Sequence, residues 1–430
     1  MASVTRRTPA RSGTAEFVGR APDQAASDVV ILSASGELGG AERALLDLVA
    51  GLVELEPALR ITVIIAAPGP LSAAVAAVGA VPVVLAFPRA IAGLGDAAAA
   101  LARRGTLHIV RDLVTAVPAV AGYVRRLRRV LAAQRAAVVH SNGFKMHVLG
   151  ALATGRESRL VWHLHDFVAH RRVMRPILRA LAFRADGVIA NSRAVADEWR
   201  AVTGGVATPV LNAVDLARFD PAGASADLDA MAGVPRDVGL VRVGLVATLA
   251  AWKGHEVFLR ALALLPRELP WRGYVVGGSV YQTRDSEASL EALHRLALEL
   301  GIAERVAFCG FVSDTASAMR TLDVVVHAST KPEPFGLVIA EAMATARAVV
   351  VSAAGGAAEL FTDGVDAVGF PPGDHAALAA RLAPLVRDAA ARERLGQAAR
   401  ASALARFAPE RLAREMCEVY ARLGVAAGAP

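Results

Sequence analysis

Two carboxylates, Glu333 and Glu341, stand in the segment KPEPFGLVIAE, the first in a Pro-rich loop and the second in the apolar stretch that follows it. If that stretch is helical, Glu341 lies about two turns further in, and the pair can address separate parts of one ligand. Upstream, TLAAWKGHEVFL places Lys253 and Gly254 at the opening of a helix-like segment, where an ammonium and unpaired backbone N–H groups suit a diphosphate. HLHD, residues 163–166, ends a strand-like run with two imidazoles on one side of the pleat and a carboxylate beside the second, so His165 and Asp166 can exchange protons or hydrogen bonds with a substrate. Two glycine pairs, Gly39–Gly40 in SGELGGAER and Gly355–Gly356 in SAAGGAAEL, fall at strand-to-helix turns where backbone amides can approach a phosphate. Taken singly, each motif also reads as a capping turn or a solvated side chain. Their recurrence at the ends of apolar runs is harder to explain that way.

The elements that must position these residues alternate regularly. VVILSA, ITVIIAA, VPVVLA, AAVVHSNG, RLVWHLHD and DGVIANS read as buried strands separated by helix-like segments, several of them rich in arginine. After PVLNAVDLARFDP and a Gly/Ala/Asp stretch, a second series begins with VRVGLVA and continues through WRGYVVGG, RVAFCGFV, DVVVHAST and AVVVSAAGG. Such alternation implies parallel sheets covered by helices, and in those folds ligands gather at the carboxyl ends of the strands, where every motif above lies. The chain divides into a disordered tail (1–28), a Rossmann-like first domain (29–214), a hinge (215–239), a Rossmann-like second domain (240–408) and a C-terminal helix (409–430) that returns to the first domain. Pro409 marks the break before that helix.

Composition narrows the class further. At 430 residues the chain exceeds one hydrophobic core, and although 54% of its residues are hydrophobic, no apolar run reaches spanning length. The N-terminal arginines Arg6, Arg7 and Arg11 precede no signal-like apolar stretch. Cys309 and Cys417 have no metal-ligand partners nearby in sequence, so neither a disulfide framework nor a zinc site is expected, and a cytoplasmic setting fits. The net charge of +7 is compatible with phosphate-bearing ligands or an anionic membrane surface. Nucleic acid is set aside, because no aromatic platform or recognisable module accompanies the charge.

Together GGAER, HLHD, Asn191–Ser192, NAVD, WKG, EPFGLVIAEAMA, GGAAEL and DGVDAVGFPPGD resemble, in order and spacing, the motif series of family 4 glycosyltransferases of the GT-B fold. The resemblance runs from about Val29 to the C-terminus and implies an α/β architecture of two Rossmann-like doubly wound domains facing each other across a cleft. It implies retaining, metal-independent, hexosyltransferase-type transfer from a nucleotide diphosphate sugar to a hydroxyl acceptor such as a glycolipid, a polysaccharide precursor or a small metabolite, with no tightly bound cofactor. By that likeness Glu341 matches the residue that binds the ribose hydroxyls, Glu333 the acidic residue facing the donor sugar, and Lys253 the cation on the diphosphate. Phe335, Gly336 and Leu337 supply neighbouring donor contacts, together with Gly39, Gly40, Gly355 and Gly356. His165 counts with Lys253 and Glu333 as catalytic and lies near the sugar and acceptor hydroxyl, and Asp166 and Asn191 stand on the acceptor side. One departure is clear: the family usually carries an Arg where this chain has Thr248, and Arg43 or His255 are the candidates to compensate. That departure keeps open a catalytically impaired homologue acting as a partner protein; a nucleotide-sugar epimerase of the same fold is a further alternative. The Asp227–Asp229 pair is read as chance. The arginine-rich segments 125–129 and 171–184 are either solvated helix faces or a docking surface for anionic lipid at the inner face of a membrane.

Overall fold

The computed structural model describes residues 29–92, 106–278 and 284–425; the tail assigned to 1–28 and the last five residues of the C-terminal segment lie outside them. The first sheet has seven strands: β1 (Val29–Ser33), β2 (Ile61–Ile65), β3 (Val81–Val84), β4 (Val138–Asn142), β5 (Arg159–Leu164), β6 (Gly187–Ala190) and β7 (Thr208–Pro209). They run parallel in the order β3-β2-β1-β4-β5-β6-β7. The second sheet is also parallel. It orders β8 (Val241–Val246), β9 (Trp271–Val276), β10 (Val306–Gly310), β11 (Val324–His327), β12 (Ala348–Ser352) and β13 (Val368–Phe370) as β10-β9-β8-β11-β12-β13. β1, β2, β4 and β12 are buried along their whole length, as helices on both faces require; β1, β2 and β12 are mainly apolar, whereas β4 buries His140, Ser141 and Asn142 as well. In each sheet the strand order reverses beside its first strand, at β1/β4 and at β8/β11, which is where a doubly wound sheet opens a crevice.

Each sheet carries its own core on either face, and two segments cross between the sheets. The helix Ala389–Arg406 packs in the second core through Ala399 and Ala403, with Phe407 at its end. Pro409 then starts a new helix, Pro409–Arg422, at a position where its missing N–H costs nothing. This helix lies on Gly40–Leu55 of the first sheet, burying Leu412, Ala413, Met416 and Tyr420 against Leu45, Leu48, Val49 and Leu52.

Residues 215–239, most of them exposed, are anchored at a few buried points. Phe219 and Leu228 join the second core, and Asp229 is buried where it accepts from Arg272 (2.9 Å), Arg242 (3.2 Å) and the Tyr274 hydroxyl (2.6 Å). Burial alone would raise the Asp229 carboxyl, but Tyr274 and the two guanidiniums bring it below its ordinary value. Asp229 of the Asp-x-Asp pair is thus a structural anchor, and Asp227 caps the short helix Leu228–Ala232 through Ala230 N at 3.0 Å. Removing one member of such a buried charge network costs about 3–5 kcal/mol.

A third tie links the two halves directly. Glu359, beyond β12, accepts from the backbone amides of Arg193 (2.9 Å) and Ala194 (2.7 Å), the first free N–H groups of the helix Arg193–Thr203 in the first domain. A carboxylate there satisfies orphan donors and complements the helix dipole.

Candidate functional site

Lys253 follows β8 and Glu333 follows β11, so the strand reversal brings together two residues far apart in sequence: Lys253 Nζ donates to Glu333 Oε1 at 2.9 Å. Glu333 Oε2 accepts from Ser329 Oγ at 2.6 Å and from His327 Nε2 at 3.3 Å. Burial would raise the Glu333 carboxyl, yet the His327 hydrogen bond, the Lys253 and His327 charges and the Ser329 hydroxyl bring it down to about 2. The turn holding Lys253 is fixed from both sides. Thr330 N donates to Trp252 O at 2.8 Å, and Gly254 has φ +76° with Ala328 O only 1.8 Å from where a Cβ would stand. A side chain cannot be placed at Gly254 without moving the β11 loop. Lys253 Nζ also lies over the Trp252 ring, 3.9 Å from its centroid.

Glu341 sits in the second turn of the helix Leu337–Ala344, whereas Glu333 lies outside that helix and is tied to Lys253, so the two carboxylates address different regions. Glu341 faces the first domain. Its surroundings are Arg43 and Asp47 on the helix Gly40–Leu55 and Arg218 beyond Asp215. Burial raises the Glu341 carboxyl, partly offset by Arg43 and Arg218. Asp47 is pushed up to about 8 by burial, then by the Asp215 and Glu341 charges, against the opposing Arg218 and Arg43. The starts of the two helices meet here: a Cβ on Gly40 would lie 3.7 Å from Leu337 Cδ1. Two helix N-termini from opposite domains therefore converge here, an arrangement suited to an anion. At the first of them the Glu42 carboxylate already accepts from the backbone of Glu42 and Gly39, and burial raises its carboxyl.

Several expected contacts are placed differently by the tertiary structure. The Phe335 ring is buried in the second core against Phe407, ring centroids 6.1 Å apart, so only its backbone can reach a ligand; an aromatic side chain in an all-apolar setting packs inward. Gly336 has φ +96° and precedes the helix, and Leu337 contributes its side chain to the meeting with Gly40. Gly356 N donates to Glu333 O at 2.7 Å, and a Cβ on Gly356 would meet Pro334 O at 2.0 Å. The Gly355–Gly356 turn thus braces the Glu333 loop, and the Gly356 amide is committed to it. Thr248 is exposed after β8, with its carbonyl accepting from Ala250 N at 2.8 Å. Of its two candidate substitutes, His255 is buried and lowered to about 4, chiefly by burial, so it is neutral near neutral pH and cannot act as the missing cation. Arg43 remains, beside Glu341.

Across the cleft, the His163 and His165 rings lie with centroids 4.0 Å apart and planes tilted by 39°, His163 within β5 and His165 just beyond its end. They are not surface residues: His163 is buried and His165 half-buried, and burial lowers His165 to about 4. Asp166 turns away from His165, pairing with Arg171 and accepting from Phe167 N at 2.8 Å. Asn191 Nδ2 donates to His165 O at 3.4 Å, which fixes the loop after the strand. Among the described residues no group of three or more His, Cys, Asp or Glu side chains is arranged to hold a metal ion, and no helix is long and apolar enough to cross a membrane. Sequence reasoning did not single out Ser329, His327 or Asp47, and it placed Glu359 only in the first helical turn after Gly355–Gly356. His327 and Ser329 lie in DVVVHAST at the end of β11, where two polar residues after an apolar run were a usable signal; Asp47 and Glu359 gain meaning only from the opposite domain.

Two family descriptions match side by side, Glycosyltransferase Family 4 over residues 38–218 and Glycosyl transferases group 1 over residues 235–402. The chain is 36% identical over 214 residues to the lipopolysaccharide core biosynthesis mannosyltransferase LpcC of Rhizobium leguminosarum, covering 50% of this chain and 59% of that protein. It is 37% identical over 212 residues to the D-inositol 3-phosphate glycosyltransferase 2 of Catenulispora acidiphila, covering 46% of this chain and 48% of that protein. The matched region spans about half the length of these relatives. Among solved structures, Anabaena HepE in complex with UDP and glucose superposes with a TM-score of 0.73 at 26% identity, over 92% of this chain and 99% of HepE. The sucrose-phosphate synthase of Thermosynechococcus elongatus shares the fold at 21% identity and a TM-score of 0.73, over 93% and 99% of the two chains. With one family description on each sheet and structural neighbours spanning both, the chain belongs to glycosyltransferase family 4, of the GT-B fold.

Proposed function

We propose that the protein is a retaining glycosyltransferase that moves a hexose from a nucleoside diphosphate sugar to a hydroxyl acceptor, with the donor held by the second domain and the acceptor by the first. The observation that carries this reading is the joining of Lys253 and Glu333 at the β8/β11 strand reversal, opposite the paired helix starts at Gly40 and Leu337. HepE has been solved with UDP and with UDP-glucose, which makes a uridine donor the first to try. As the bond from the sugar to the diphosphate loosens, negative charge grows on the departing phosphate oxygen. Lys253 and the helix amides answer that charge from fixed positions, which is where electrostatic preorganisation gives most. Glu333, ionised and anchored by Ser329 and His327, faces the sugar, and Glu341 takes the ribose hydroxyls. The neutral imidazole of His165 offers a hydrogen bond to a hydroxyl on the acceptor side. The test is thermal stabilisation across UDP-, GDP- and ADP-sugars with Glu341→Ala as the control, since a ligand of the folded state raises the melting temperature. A shift with one base that vanishes in the variant supports the donor site. No shift with any donor, and no nucleotide diphosphate released above background, would instead favour a catalytically impaired partner protein in which Thr248 has cost the donor site its cation.

A specific feature favours an anionic membrane surface as a further partner. Arg172, Arg175 and Arg179 line a surface concavity of about 450 Å³ with Pro176, Ala201 and Val202, and have no carboxylate within ion-pair distance among the described residues. Phe183, one turn beyond Arg179, is 81% exposed. Basic side chains on and just before the helix Met174–Leu181, with an exposed aromatic in the turn that follows it, suit the interface of an anionic bilayer. Co-sedimentation with anionic but not neutral vesicles at low salt is expected, and its absence would end this reading.

A further inference from the structure

Beneath the acceptor-side imidazole lies a buried polar chain that the proposed chemistry does not use. Tyr420, on the C-terminal helix, is fully buried, and its Oη lies 2.8 Å from His140 Nδ1 on β4. His140 Nε2 lies 3.2 Å from His163 Nδ1 on β5. The His163 ring lies 4.0 Å from that of His165 and is tilted by 39°, yet His163 Nε2 and His165 Nδ1 are both shut off from solvent without a partner. His165 is half-buried, and its Nε2 is not shut off in this way. Burial keeps all three imidazoles neutral, lowering His140 to about 3. Each therefore carries one ring proton, and its place is decided by its neighbours.

The direction of the chain follows from counting donors. Tyr420 Oη has no partner but His140 among the described residues. Were His140 to donate to it, the phenolic proton would stay unpaired in the core, because Tyr420 Oη has no other partner among the described residues. If Tyr420 donates instead, every link is satisfied up to the last N–H, that of His163 Nε2. We propose that Tyr420, His140 and His163 are positioning residues: Tyr420 donates to His140 Nδ1, His140 Nε2–H donates to His163 Nδ1, and His163 Nε2–H is aimed at His165 Nδ1, leaving the proton of His165 on Nε2 toward the acceptor. The last link is not a hydrogen bond in this structure, where the two rings lie at 39° to one another, and forming it requires the rings to rotate so that His163 Nε2–H lies in line with His165 Nδ1. The inference rests on the proposed acceptor role of His165, and it ties the crossing C-terminal helix to the acceptor side of the reaction.

The experiment measures ring-nitrogen chemical shifts in protein labelled with ¹⁵N-histidine, together with nucleotide release kinetics. In the wild type His140 and His163 should both be Nε2–H tautomers. Tyr420→Phe should release His140 into a mixture and lower kcat for transfer by about 10–100-fold, with KM for the donor unchanged. Met416→Leu, a packing change on the same helix, should alter neither. An Nδ1–H proton on His140 in the wild type, or a Tyr420→Phe variant with unchanged tautomers and kcat, would overturn the proposal. If the wild type turns over no nucleotide sugar, the reading of function fails by itself, while the nitrogen shifts still decide the chain.

Discussion

Lys253 Nζ and Glu333 Oε1 lie 2.9 Å apart, so the cation proposed for the diphosphate and the carboxylate proposed for the sugar hold one another in this structure. A donor must compete with Glu333 for that ammonium, and substrate binding exchanges one ion pair for another. Lys253→Met should lower kcat/KM by about 10²–10³-fold, the usual loss when a preorganised charge partner of the leaving group is removed. The same variant should raise the Glu333 carboxyl from about 2, because one of the causes holding it down is gone while His327 and Ser329 remain. Nucleotide release kinetics and carboxyl titration check the two halves separately.

The depressed Glu333 carboxyl also fixes a sign in the stability profile. A group whose folded value lies below its unfolded value stabilises the fold above the unfolded value, roughly pH 4.3 for Glu, and that stability is lost as pH falls through the folded value near 2. Glu333→Gln should therefore flatten the fall in stability between about pH 4 and 2. Denaturant midpoints across that range would show it.

Asp47 predicts the opposite sign. Its carboxyl, at about 8, is raised by burial beside Asp215 and Glu341, so its stabilising contribution is full below the ordinary Asp value and lost as pH rises through 8. Asp47→Asn should remove the downward slope of melting temperature between about pH 4 and 8 and leave the variant the more stable at the alkaline end. Parallel slopes in the two proteins would show that Asp47 is ionised throughout.

Thr248→Arg restores the cation that the family usually carries at an exposed position with no side-chain hydrogen bond to lose. A guanidinium there can fork onto the diphosphate. Donor KM should fall about tenfold, equivalent to roughly 1.4 kcal/mol, with little change in stability. An unchanged KM would mean that Arg43 already supplies that charge.

Gly254→Ala and Glu359→Ala separate the site from its frame. The first forces a Cβ to within 1.8 Å of Ala328 O at φ +76° and should cost at least about 1–2 kcal/mol while displacing Lys253. The second removes the carboxylate that joins the domains and should cost about 0.5–2 kcal/mol, typical of a lost cap. In the second variant the amides of Arg193 and Ala194 should exchange faster with solvent, which hydrogen exchange reads directly.

What the amino-acid sequence determined is what local chemistry encodes. Unbroken valine and isoleucine runs require strands covered on both faces, glycine and proline mark their turns, and Lys253, Glu333, Glu341 and His165 stand out because charged or basic residues follow apolar runs at strand ends. What remained hidden were partnerships made by strand order and by the crossing helix. The turn glycine Gly356 offered its amide to any acceptor, and only the fold gives that amide to Glu333 O. Phe335 looked like part of a binding loop, but its ring faces Phe407 because the Ala389–Arg406 helix packs beneath it. Tyr420 and His140 are separated by 280 positions and meet because the C-terminal helix returns to the first sheet. Sequence periodicity specifies which face of an element is apolar, but it does not name the element that will cover it, and the energy of a buried hydrogen bond or ion pair belongs to both partners at once.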